Sequence, residues 1–270
     1  MSSTIAYLRD RYDASVAGAM GLHPSARTAP THAGGQRLTL SWDSKADPLA
    51  SDPLVLSAVR ALALWLREDD GDVLRAEAAG LTDLFLDLYA SSIPSSSSED
   101  GVRGGLDFRS PVLVALEGTI TSEDGVAALL EHEGWKLLTA DMLSVLTACS
   151  TNPSEEDAAR GTEIVRVLLP VVEAERPGAR EEWMDVVTAV AGWDVPDTRL
   201  EGVVLEFEVA VLQLVTALLV NNHPGVVRRY RFSVGAVVGV VRLVRERVGG
   251  DDGVREELDD VLGTLEGLGM

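Results

Sequence analysis

Between Thr198 and Val248 the chain carries two long apolar segments joined by Asn221-Asn222-His223-Pro224-Gly225, and this stretch restricts the fold most. In the first segment Leu200, Val204, Phe207, Val211, Leu214 and Leu218 recur every three or four residues, so they share one helical face. Leu205, Val209, Leu212 and Leu219 form a second seam, which makes the helix apolar nearly all round from Val209 onward. Such a helix has to be covered on more than one side. The spacing therefore predicts a central helix, with 198–248 folding back on itself as a water-excluding pair. A membrane span is not expected, because Glu206 and Glu208 interrupt the run and leave only Val209–Val220 clean, short of the roughly 20 residues a bilayer needs.

The remaining chain reads as helices that supply this cover. Asp52-Pro53 opens a helix through Val55, Val59, Leu62 and Leu66. After the acidic turn Glu68–Asp72 a second follows through Leu74, Ala78, Leu81, Phe85 and Leu88, and the pair is expected to lie antiparallel. Three shorter helices are expected next, beginning at Ser110-Pro111, after Ser122 and at Gly134. The third has Trp135, Leu138, Met142, Val145 and Cys149 on one face. A helix over 155–175 contains Pro170, which removes a hydrogen bond and should kink it. Another runs over about 180–192, and a more polar one over 252–268 closes the chain. Residues 1–52 read as a short N-terminal helix followed by an irregular connector, with Leu38–Trp42 as a short extended candidate. The serine-rich segment 91–105 reads as a mobile loop. About ten helices in units of about 40 residues give an all-α chain, read as an armadillo- or HEAT-like helical-repeat stack over 53–270. A compact irregular α-bundle is the alternative.

Four stretches resemble the neurochondrin family, in particular its fungal members: ALALWLREDDGDVLRAEAAGLTDLFLDLY at 61–89, DFRSPVLVALEG at 107–118, LLEHEGWKLLTADML at 129–143 and RGTEIVRVLLPVVE at 160–173. The likeness runs from about Pro53 to Val248. It implies an armadillo-like scaffold without known catalysis, in a family whose animal members are associated with signalling, kinase regulation and neurite outgrowth. Family members are longer, so the resemblance implies a C-terminal part or a shortened version.

Composition excludes several function classes. A net charge of −20 opposes general binding to nucleic acid, which depends on neutralising phosphates, and docking on anionic lipid. Cys149 is the only cysteine, which rules out an intramolecular disulfide and fits a reducing, cytoplasmic address. No hydrolase, metalloprotease, phosphate-loop or dinucleotide-binding motif occurs, so no catalytic residue, metal ligand or cofactor is expected. His23, His32, His132 and His223 are scattered, and Cys149 closes an apolar face as a small hydrophobe. The acidic clusters 68–72 and 251–252 lack the spacing of a calcium loop and read as helix stops and caps.

One feature departs from the acidic composition. Arg228, Arg229, Arg231, Arg242, Arg245 and Arg247 fall within 20 positions. Arg228, Arg231, Arg242 and Arg245 lie broadly along one side of a helix opposite a valine face, and Gly235 and Gly239 would let a neighbouring helix come close. Two readings compete: surface arginines paired with carboxylates on adjacent helices, or a basic strip that receives an acidic peptide or a phosphoprotein. The expected function is a non-catalytic scaffold for a protein partner. A self-associating module is the alternative, and an enzyme without a recognisable motif is a more distant third.

Overall fold

The computed structural model describes residues 6, 7, 10, 53–67, 78–92, 109–151, 154–174, 183–193, 202–248 and 251–268. The connector at 21–52 with its extended candidate and the acidic cluster at 68–72 lie outside the described residues; of the serine-rich segment 91–105, Ser91 and Ser92 are helical instead of loop and the rest lies outside, and of the N-terminal helix Ala6, Tyr7 and Asp10 are described and helical. From Pro53 onward eleven helices and no strand occur among the described residues. They are α1 (Pro53–Arg67), α2 (Ala78–Ser92), α3 (Arg109–Thr119), α4 (Glu123–Glu131), α5 (Gly134–Thr151), α6 (Glu155–Ala174), α7 (Met184–Ala191), α8 (Gly202–Val220), α9 (Pro224–Arg229), α10 (Arg231–Arg247) and α11 (Asp252–Gly267). The helices group into two compact units, residues 1–132 and 133–270.

In the first unit α3 is the shared partner. Val55, Val59, Leu62 and Leu66 of α1 are buried as the spacing predicts, as are Leu81, Phe85 and Leu88 of α2. The antiparallel pairing of α1 with α2 does not form as expected: α1 packs on α3, whereas α2 packs on α3 and α4. Gly118 explains part of this preference, because a Cβ there would fall 2.5 Å from Leu66 Cβ, so only glycine lets α1 and α3 approach. On the α2 side, Thr82 Oγ1 donates to Thr119 Oγ1 at 2.9 Å, satisfying a buried polar pair between α2 and α3. Ser122 caps α4, its Oγ accepting from the Gly125 N–H at 3.1 Å.

The second unit is built around α8. Eleven of its nineteen residues are buried, and it packs against α6, α7 and α11. Both predicted seams are enclosed where described, apart from the half-buried Val204. By length and composition α8 could cross a bilayer, yet its burial is that of a core helix. Trp135 of α5 stacks on Trp183 just ahead of α7 at 5.4 Å, and Phe207 meets Trp193 edge-on at 5.8 Å. Beside Phe207 a Cβ at Gly161 would lie 2.2 Å from the ring, so α6 and α8 touch through that glycine. The helix α6 continues through Pro170 to Ala174. Pro170 and Arg166 are both exposed, so water can bond the carbonyl that proline leaves unpaired.

The expected pair over 198–248 is a correction. A sharp turn does follow Val220, but the second segment breaks at Tyr230 into α9 and α10. The six residues of α9 advance the chain by about 9 Å, close to one interhelical spacing. In consequence α10 packs on α7 and α11, and it is not among the closely packed partners of α8.

Candidate partner-binding surface

The side of the second unit formed by α9, α10 and α11 carries the predicted arginines. Its entry is fixed by the turn after α8. Asn222 Oδ1 accepts from the His223 N–H at 2.8 Å, and His223 Nδ1 accepts from the Gly225 N–H at 3.1 Å, with Pro224 opening α9. His223 thus caps α9. At the far end Asp251 caps α11, one carboxylate oxygen accepting from Gly253 and Val254 at 3.1 and 3.2 Å. The acidic pair at 251–252 accordingly begins a helix.

On α10 the residues Val234, Val237, Val238, Val240, Val241 and Val244 are buried against α7 and α11. The arginines divide into two groups. Arg242 Nη2 donates to Glu266 Oε1 at 2.9 Å, and Arg245 binds Asp259 through both Nε and Nη2, the latter at 2.9 Å. The hydrogen bond from Arg245 holds the Asp259 carboxyl below its usual range and, reciprocally, raises the guanidinium. Arg228 and Arg231 are exposed and have no carboxylate partner among the described residues; Arg231 instead lies over the Phe232 ring at 4.9 Å. The strip therefore contains two neutralised cations and two open ones.

The outward face of α10 holds a feature that helical spacing alone did not flag. Phe232 is 79% exposed and Leu243 is 42% exposed. Between them Gly235, Ala236 and Gly239 are exposed, and a Cβ at either glycine would meet nothing within 4 Å. A phenylalanine one residue from the predicted basic strip, opposite its valine face, was the available signal.

A second polar group lies inside the unit. Glu208 is 3% exposed, and its Oε2 has no hydrogen-bond partner among the described residues. Burial raises its pKa from an ordinary 4.5 to about 7, moderated by the nearby Arg247. The spacing could have revealed it, because Glu208 follows Val204 by four residues and precedes Val211 by three on the buried seam. Cys149 is buried as predicted, and burial, reinforced by Asp157, pushes its thiol up to about 11. It is therefore a protonated, poorly nucleophilic thiol at neutral pH. His132 Nε2 lies 3.2 Å from Asp83 Oδ1 at the end of α4, while His23 and His32 are outside the described residues. Among the described residues no group of three His, Cys, Asp or Glu side chains is arranged to hold a metal ion.

Comparison with known proteins adds the family. A stretch of 105 residues, 38% of this chain, is 32% identical to an uncharacterized protein of the fission yeast Schizosaccharomyces pombe. It spans 17% of that relative's length. No solved structure matches the chain. The neurochondrin family profile matches residues 1–218, beginning ahead of the quoted resemblance and ending inside α8, so α9–α11 lie beyond it. With four fifths of its length matched by that profile, the chain belongs to the neurochondrin family.

Proposed function

We propose that the chain is a non-catalytic helical scaffold that receives an acidic or phosphorylated segment of a protein partner along Arg228, Arg231, Arg242 and Arg245. The observation that carries this reading is that Arg228 and Arg231 stand exposed with no carboxylate partner among the described residues, on a chain of net charge −20 with acidic groups in excess. Membership of a family not known for enzymes supports the non-catalytic part, and so does the absence of catalytic sequence motifs. An armadillo-like stacking of the helices and a cytoplasmic location belong to the same reading.

The test is affinity capture with the intact chain, repeated with the four arginines changed to glutamate and with phosphatase-treated extract. Specific partners should be lost with the charge-reversed chain. Capture that is unchanged by the reversal removes the arginine side from the account. Exposed Phe232 and Leu243 favour self-association as the second reading, although two copies of such an acidic chain repel each other. Sedimentation over a concentration series separates them, and a strict monomer ends the second.

A further inference from the structure

We propose that the outward face of α10 is a docking groove for an acidic amphipathic helix of a partner protein, an inference that rests on the arginine-side reading above and specifies its occupant.

The groove is defined by apolar ends and a small-residue floor. Phe232 and Leu243 are separated by eleven positions along the sequence, about 16 Å along the helix axis. Gly235, Ala236 and Gly239 lie between them with open space above both glycines. A large exposed aromatic on a water-soluble face costs hydration energy unless something covers it part of the time. The bare glycines would let another helix come closer than the usual 8–10 Å between axes, with its large side chains seated between Phe232 and Leu243.

Charge chooses the occupant. Arg231 and Arg242 flank this face on one edge and Arg228 stands just ahead of it on α9, while the one exposed carboxylate on the face among the described residues of α10, Glu246, lies beyond Leu243 at its far end. Arg228 and Arg231 are open, while Arg242 is held by Glu266 in an exposed pair that an incoming carboxylate can replace. A helix with leucine-like residues on one face and carboxylates along one flank satisfies both features. A basic helix would face three arginines, and a second copy of this chain would bring a further charge of −20.

The test uses the full chain and three fluorescent peptides of about 18 residues, close to the length of α10. One is a side-chain-stapled helix with leucines on one face and glutamates beside them, one is the same helix with lysines for glutamates, and one is the acidic sequence broken by prolines. Anisotropy titration should show binding of the acidic helix, at least roughly tenfold weaker binding of the other two, and weakening with salt. Gly235→Leu with Gly239→Leu fills the floor, both Cβ atoms entering open space, and Arg228→Glu with Arg231→Glu reverses the edge. Each pair should weaken the acidic helix roughly tenfold or more while leaving the far-ultraviolet spectrum unchanged. Equal binding of the helical and proline-broken acidic peptides, insensitive to the leucines but lost with the glutamates, overturns the helix groove while the acidic-segment reading stands. Failure of all three peptides overturns the groove, and unchanged lysate capture by the charge-reversed chain overturns the reading beneath it. A wild-type dimer dissolved by Phe232→Ser gives the face to a second copy and likewise overturns the proposal.

Discussion

The helices α8 and α10 are close in sequence, similar in length and both rich in valine, yet the fold uses them oppositely. Three helices cover most of α8, and even Glu208 is enclosed, while Glu206 and Val220 keep one narrow side in water. By contrast α10 is buried along one side and presents glycine, alanine, phenylalanine and arginine on the other. The difference lies in the width of the apolar arc. A helix with two seams demands cover on more than one side, whereas a single valine stripe is satisfied by α7 and α11 and leaves a face for other use.

The largest contrast should come from truncating one aromatic on each helix. Phe207→Ala removes a ring packed on Gly161 and Trp193 and should cost about 3–5 kcal/mol in denaturant unfolding. Phe232→Ala should change the same midpoint by no more than about 0.5 kcal/mol. Comparable losses at the two sites would erase the distinction.

The buried carboxylate gives the next effect, and its sign is fixed. Because the folded-state pKa of Glu208 lies above the ordinary 4.5, its charged form is disfavoured in the fold. No cost arises below about pH 4.5; the cost grows as pH rises through about 7 and then levels near 3 kcal/mol. Glu208→Gln should therefore stabilise the chain at pH 8 by up to about 3 kcal/mol and lose that advantage near pH 4.5. A pH-independent difference between the two proteins would refute the assignment.

The glycines sharpen the comparison at smaller cost. Gly161→Ala places a methyl into the Phe207 ring and should destabilise by about 1–3 kcal/mol. Gly239→Ala enters open space on a helix and should stabilise by about 0.8 kcal/mol. Opposite signs for one chemical change would separate a packed face from a free one.

Much of the helical content was legible because local chemistry marks it. Pro53, Ser122, His223 and Asp251 set helix starts, and the three-four spacing named the buried faces of α1, α5 and α8. Pairing was less legible. Nothing local to α1 and α2 says that both will prefer α3, since that choice depends on a glycine more than fifty residues after α1 begins. The break at Tyr230 was hidden because Arg228-Arg229-Tyr230-Arg231 holds no glycine or proline to mark a helix end. At the candidate surface the arginines were visible in the sequence, but which were already neutralised depended on where α11 lands.

Thiol reactivity reads most directly the difference between the open face of α10 around Phe232 and the enclosed seam of α8 around Leu214. The native Cys149 is 4% exposed with a pKa of about 11, so the folded wild-type chain should show no reactive thiol toward an aromatic disulfide reagent. Phe232→Cys should then react at the rate of an unfolded control, and Leu214→Cys should stay silent until denaturant is added. A protected thiol at position 232, or rapid labelling at position 214 in the folded chain, would contradict the account.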